Sequence, residues 1–215
     1  MRKLPVARLN ELFAAIAAER KLYIPAGDAK TAAFTLWREG LEMTKALNTS
    51  RSAKDLFFPQ VENLVDFKVS GREIEIVESR DPGESFVVFG VRACDCRSFD
   101  ILDKVFLCDP ADTYYQSRRE NGVVVTLACK EPEETCFCTA LGVDPADPAG
   151  DVTGWTEGED LYLRANTEKG ESLLAGLPLF AEGEKPETDR SVFGRLPLKE
   201  LDWSAFGGEK MMELF

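Results

Sequence analysis

The run VVVTLACKEPEETCFC, residues 123–138, decides how this chain reads. Val123 to Ala128 is continuously apolar, as expected of a strand buried on both faces of an α/β sheet. A second run of the same kind, SFVVFG (Ser85–Gly90), precedes it with helical material between the two. Continuous apolar strands separated by helix predict an α/β fold, with a mixed or mainly parallel sheet and flanking helices. Both runs end near cysteine. Cys129 follows the later one directly, and Cys94 follows the earlier one in GVRACD. Strand ends are where such a fold brings together residues distant in sequence, so a cysteine site is expected there.

Cys136 and Cys138 stand one residue apart. In an extended segment both would project to one side, with Phe137 turned the other way into packing. Cys129 lies across Glu131-Pro132-Glu133, a loop long enough to fold back onto the same centre. Four soft thiolates suit an iron–sulfur cluster or zinc better than a disulfide framework. Spacing leaves a [4Fe-4S] cluster, a zinc ion and a metal-free site all open, because it matches neither the bacterial ferredoxin run nor paired CxxC zinc spacing. A dithiol relay through the CxC pair, making the chain a thiol-based oxidoreductase, is opposed by Glu131, Glu133 and Glu134, which discourage a thiolate. Backbone N–H groups around Ala93 and Lys130 are expected to soften the sulfur charge. Arg92 reads either as surface charge or as a cation offsetting a four-thiolate site. Cys96 and Cys108 read as core or semi-buried thiols.

Composition removes several classes. The 215 residues carry 26 Lys plus Arg against 38 Asp plus Glu, a formal charge of -12, with no basic stripe to neutralise phosphates. Nucleic acid and anionic membrane surfaces are therefore not expected partners. No apolar stretch approaches the roughly 18 residues of a spanning helix. The N-terminal MRKLPVARLNELFAAIAAERK is broken by Glu11, Glu19 and Arg20 and lacks a signal-peptide core. The expected location is cytoplasmic, where thiols stay reduced unless metallated. Absence of histidine removes it as ligand, general base and triad member. No GxGxxG or GxxxxGK[ST] occurs, so nucleotide binding is not expected.

Elsewhere the periodicity predicts a helix over about Pro5–Glu19 and a short strand at Leu22–Ala26. Thr31–Leu41 reads as strand or helix. A short helix is expected from Pro59, with Val61, Leu64 and Val65 on one face, and Phe57-Phe58 as core. Arg72–Ser79 reads as a half-buried strand, closed by a turn at Asp81-Pro82-Gly83. Ser98 is expected to cap a helix through Leu102 and Val105. Tyr114–Glu120 reads as helix, Leu161–Ala165 as strand and Glu171–Leu174 as the start of a helix. Residues 1–180 are expected to form one α/β domain, and 181–215 an extended connector containing the exposed AEGEKPETDR.

The segments DLFFPQVENLVDF, FGVRACDCRSFDILDKVFL and DTYYQSRRENGVVVTLACKEPEETCFCTALG resemble the β-subunit family of cytoplasmic sulfhydrogenases. The chain is similar, too, to the iron–sulfur component of anaerobic sulfite reductase. The resemblance implies an electron-transfer component, itself non-catalytic. It would work between a catalytic partner, such as a NiFe hydrogenase or sulfite reductase, and a flavin- and NAD(P)-binding subunit. It assigns Cys94, from GVRxCD, and Cys129, Cys136 and Cys138, from CxxxxxxCFC, as ligands of one [4Fe-4S] cluster. Members of that family continue into a ferredoxin-like module with CxxCxxCxxxCP-type motifs, whereas this chain stops at EKMMELF. The expectation is a cut from a longer subunit, or a short member whose other clusters lie in a separate chain. Trp203, Phe206 and Leu214 would then sit at an exposed seam. A structural adaptor with zinc or no metal is the contrasting reading.

Overall fold

A computed structural model describes residues 1–78 and 83–196. The turn expected at Asp81-Pro82 and the seam expected at Trp203, Phe206 and Leu214 lie outside the described residues.

The chain folds as a mixed α/β sheet covered by helices on both faces, as the two apolar runs predict. Eight strands take part: β1 (Arg2–Pro5), β2 (Lys21–Ala26), β3 (Ala33–Leu36), β6 (Phe86–Val91), β7 (Gly122–Leu127), β8 (Val152–Glu157), β9 (Asp160–Ala165) and β10 (Ala181–Glu182). Their order is β10-β1-β9-β8-β7-β6-β2-β3. The central strands β2, β6, β7 and β8 run parallel, and antiparallel pairs close both edges. Every residue of β6 and β7 is buried. Alternation sorts their side chains onto two cores. Val87, Phe89, Val123 and Val125 pack with α1 (Leu9–Ala17) and α4 (Glu168–Ala175). Phe86, Val88 and Val124 pack on the other face with Phe99 of α2 (Ala93–Phe106) and Tyr115 of α3 (Thr113–Asn121). Phe57 is fully buried in this second core, as expected, while Phe58 is partly exposed and stacks on Phe106.

Local chemistry explains most of the boundaries. Asp112 caps α3, accepting from the N–H groups of Tyr114 and Tyr115 at 2.9 Å each. Thr167 caps α4 through Gly170 N–H. Asp151 joins three elements: one carboxylate oxygen accepts from Val124 N–H at 2.8 Å, and the other from the Thr167 hydroxyl at 2.7 Å.

Three expectations are corrected. The helix after β6 begins at Ala93, not at Ser98, whose hydroxyl instead donates to Asp95 O within the helix. No helix follows Pro59. A short 3-10 turn precedes it at Ala53–Leu56, and Val65 opens a strand. That strand, β4 (Val65–Ser70), pairs antiparallel with β5 (Glu73–Glu78) in a separate two-stranded ribbon. Ile74 and Ile76 consequently face solvent instead of the core the alternation predicted. Thr31–Leu41 resolves as strand β3 against β2.

Candidate metal centre

The site is built where β6 and β7 end. Gly90, at φ +92°, accompanies a register shift in β6 between Phe89 and Val91. This is a bulge that only glycine enters without strain. The kink delivers Arg92 and then the first turn of α2, which carries Cys94. Beside it, β7 runs into Ala128 and Cys129, whose N–H donates to Pro145 O at 2.8 Å. The loop between holds Cys136 and Cys138 in turns. Cys136 N–H donates to Glu133 O at 3.0 Å, and Cys138 opens a 3-10 turn, Cys138–Leu141, ended by left-handed Gly142. The CxC pair is therefore not extended. Phe137 is 48% exposed, not packed inward as the alternation predicted.

The four cysteines share one electrostatic neighbourhood. The neighbouring Cys138 thiol, with the N–H groups of Asp95 and Cys94, holds the Cys94 pKa down to about 7 against burial and the Asp95 charge. The placement fits a thiolate at a helix N-terminus. The same interaction with Cys94 raises the Cys138 pKa, and burial and the charges of Cys94, Cys136 and Cys129 raise it further. Burial also pushes Cys129 up, assisted by Cys94 and Cys136 and opposed by Arg92. The amide donors to sulfur include those of Asp95 and Glu133, the latter reaching Cys136 Sγ at 3.3 Å, where the loops around Ala93 and Lys130 are the expected source.

Cys96 and Cys108 stand apart. Cys96 points into the second core, where burial pushes its thiol pKa up to about 12. Cys108 is exposed beyond the far end of α2, its thiol donating to Val105 O at 3.1 Å.

Sequence reasoning named Arg92 but missed what anchors it and the other supports. Arg92 reaches Leu47 O at 3.0 Å and Leu127 O at 3.4 Å. Asn48 donates to Glu133 Oε2 at 2.6 Å, and the Ser52 hydroxyl to Asp95 Oδ1 at 2.8 Å. The polar stretch Asn48–Lys54 thus braces both cysteine segments. Phe193 joins Cys129 and Ala146 in a small buried cluster, with Leu47 and Val192 against it. A pocket of about 110 Å³ opens beside Cys94, lined by Pro25, Phe34, Leu47, Thr49, Arg92 and Asp95.

Among the described residues, no three histidine, cysteine, aspartate or glutamate side chains converge as ligands of one metal ion. Tetrahedral zinc, with Zn–S near 2.3 Å, would need sulfurs only about 3.8 Å apart. The four thiols are neighbours not drawn in to that degree. In donor chemistry the set fits a group held by four cysteine thiolates.

This α/β fold with its cysteine site has a known relative. Over 108 residues, half of the chain, it is 37% identical to sulfhydrogenase 2 subunit beta of Pyrococcus furiosus. The match covers 31% of that protein, so the chain spans about a third of its relative's length. No family model matches the chain, and no solved structure does. Among the described residues, no helix is long and apolar enough to cross a membrane.

Proposed function

We propose that this chain is an iron–sulfur electron-transfer module, with Cys94, Cys129, Cys136 and Cys138 holding one [4Fe-4S] cluster. The observation that carries the reading is that the adjacent parallel strands β6 and β7 end beside Cys94 and Cys129, with Cys136 and Cys138 in the loop that follows β7. The similarity to a sulfhydrogenase β subunit supports it. Such a cluster, when bound, supplies one-electron transfer. The chain's own residues do the rest. The first turn of α2 and the Asp95 amide favour Cys94 as a thiolate, and Glu133 N–H donates to Cys136. Arg92 places a positive charge at Cys129. Ala146 and Phe193 keep water from that side.

In this reading the chain does no bond chemistry of its own. It relays electrons between a catalytic hydrogenase or reductase and a flavin- or NAD(P)-binding subunit, with a ferredoxin-like module as neighbour. The cluster-bearing domain of this reading includes β10 and Phe193, which packs on Cys129. The deciding experiment is anaerobic purification or reconstitution followed by iron and sulfide analysis and EPR. About four iron and four sulfide per chain, with a reversible one-electron signal, are expected. Tightly held zinc without sulfide would replace the reading with a structural adaptor.

A second reading follows from the pairing of Cys94 with Cys138, the two thiols that shift each other most strongly in this set, which could cycle without metal. Metal-free protein would then form a reversible Cys94–Cys138 disulfide, releasing two protons and two electrons to a disulfide or quinone acceptor.

A further inference from the structure

The β4–β5 ribbon presents one flat apolar face. Val65, Phe67 and Val69 lie on it in β4, with Ile76 paired to Phe67 and Ile74 paired to Val69 in β5. These five side chains are between 50% and 70% exposed. Asp66, Lys68, Ser70, Glu73 and Glu75 alternate onto the opposite face. A two-stranded ribbon is marginal in water unless its apolar face is packed. The rest of the described chain leaves this face open.

We propose that a second copy of this chain covers it, two ribbons stacking face to face about a twofold axis into a four-stranded sandwich. The face is apolar at Val65, Phe67, Val69, Ile74 and Ile76, hence complementary to itself under twofold symmetry, and its one charged position is Glu78, paired with Val65 at the open end of the ribbon. Covering these side chains removes on the order of 500 Å² per copy, about 1,000 Å² for the pair, the threshold for a specific contact and the size of a weak, concentration-dependent dimer.

Charge does not oppose the pairing, although each copy carries -12. Stacked sheets lie about 10 Å apart. The outward carboxylates of the two copies then stand beyond the Debye length of about 8 Å at physiological ionic strength. The placement also leaves the cysteine site free. The ribbon leaves the domain near the Phe58–Phe106 ring contact, at the end of α2 opposite Cys94.

Sedimentation equilibrium of the 215-residue chain, across the micromolar range and in low and high salt, tests this. A dimer is expected, held or strengthened by salt. Phe67→Lys with Ile76→Glu keeps a favourable cross-strand pair and should weaken association by at least about 100-fold. Lys68→Ser with Glu75→Ser, on the outer face, should leave it unchanged. Should the charged variant fail to fold by circular dichroism, Ile74→Thr with Ile76→Thr retains strand propensity and should weaken the dimer in the same direction. A monomer at all concentrations would overturn the proposal. So would a dimer indifferent to the apolar substitutions, or a face that binds only a different protein.

Discussion

Arg92 stands against Cys129 with its guanidinium clamped between two backbone carbonyls, Leu47 O and Leu127 O. The clamp fixes a positive charge beside a buried thiol whose pKa burial raises and Arg92 lowers. Arg92→Gln should raise that pKa further and slow alkylation of Cys129 at neutral pH by roughly tenfold. Arg92→Lys should fall between, since an ammonium keeps the charge but not the fork that spans both carbonyls. Alkylation rates against pH, resolved by residue in mass spectrometry, give the measurement. In cluster-loaded protein the same change should lower the reduction potential. Profiles identical to the parent would remove Arg92 from the site.

Serine at Cys94, Cys129, Cys136 or Cys138 should abolish or damage iron and sulfide uptake, whereas Cys96→Ala and Cys108→Ser should keep full stoichiometry. Cys96 fills the second core, so its truncation should cost about 1 kcal/mol. Cys108 is exposed, and its replacement should stay within about 0.5 kcal/mol. Metal analysis and urea unfolding of the same variants separate the two effects. Full iron uptake by the Cys136 variant would contradict the proposed ligand set.

The pair of apolar runs and their cysteines were legible in the sequence. A strand buried on both faces needs continuous Val, Leu and Phe, which leaves a local signature. β1 and β8 leave weaker ones: Arg2–Pro5 is four residues long, and Val152–Glu157 is broken by Gly154. Alternation in β5 signals a strand, but it says nothing about whether a domain or solvent lies on the apolar side. The helical start at Ala93 is hidden because its N-cap is Arg92, with no capping side chain. Long-range braces such as Asn48 to Glu133 leave no mark at either position.

Phe193 extends this account to a segment expected to be an exposed connector. Lys185 pairs with Asp147 at 2.5 Å and Arg190 with Asp144 at 2.9 Å, pinning residues 185–190 across the loop that follows the cysteines. Phe193 then packs with Cys129 and Ala146. Phe193→Ala should cost about 3 kcal/mol and speed alkylation of Cys129 well beyond that of Cys136. Arg190→Ala, which removes only an exposed ion pair, should cost less than about 1 kcal/mol. Unchanged Cys129 reactivity in the Phe193 variant would show that the thiol is shielded by other groups.

The far side of the domain carries a polar network that should set the acid limit of stability. Arg119 holds Asp103 through two contacts at 2.8 Å each, and the Tyr115 hydroxyl donates to Asp103 at 2.6 Å. Burial pushes the Asp103 pKa up, but these hydrogen bonds, with the charges of Arg119 and Lys169, outweigh it and leave the pKa lowered. A carboxylate lowered on folding stabilises the protein fully above its unfolded pKa, near 4, and loses that contribution as pH falls through the folded value. Asp103→Asn should therefore cost about 2 kcal/mol at neutral pH. The gap from the parent should narrow steadily below about pH 4. Tyr115→Phe keeps the buried ring, gives up one hydrogen bond, and should cost about 1 kcal/mol. Urea unfolding from neutral pH into acid reads all three. A gap of constant size across that range would mean that Asp103 contributes shape to the core, and not charge.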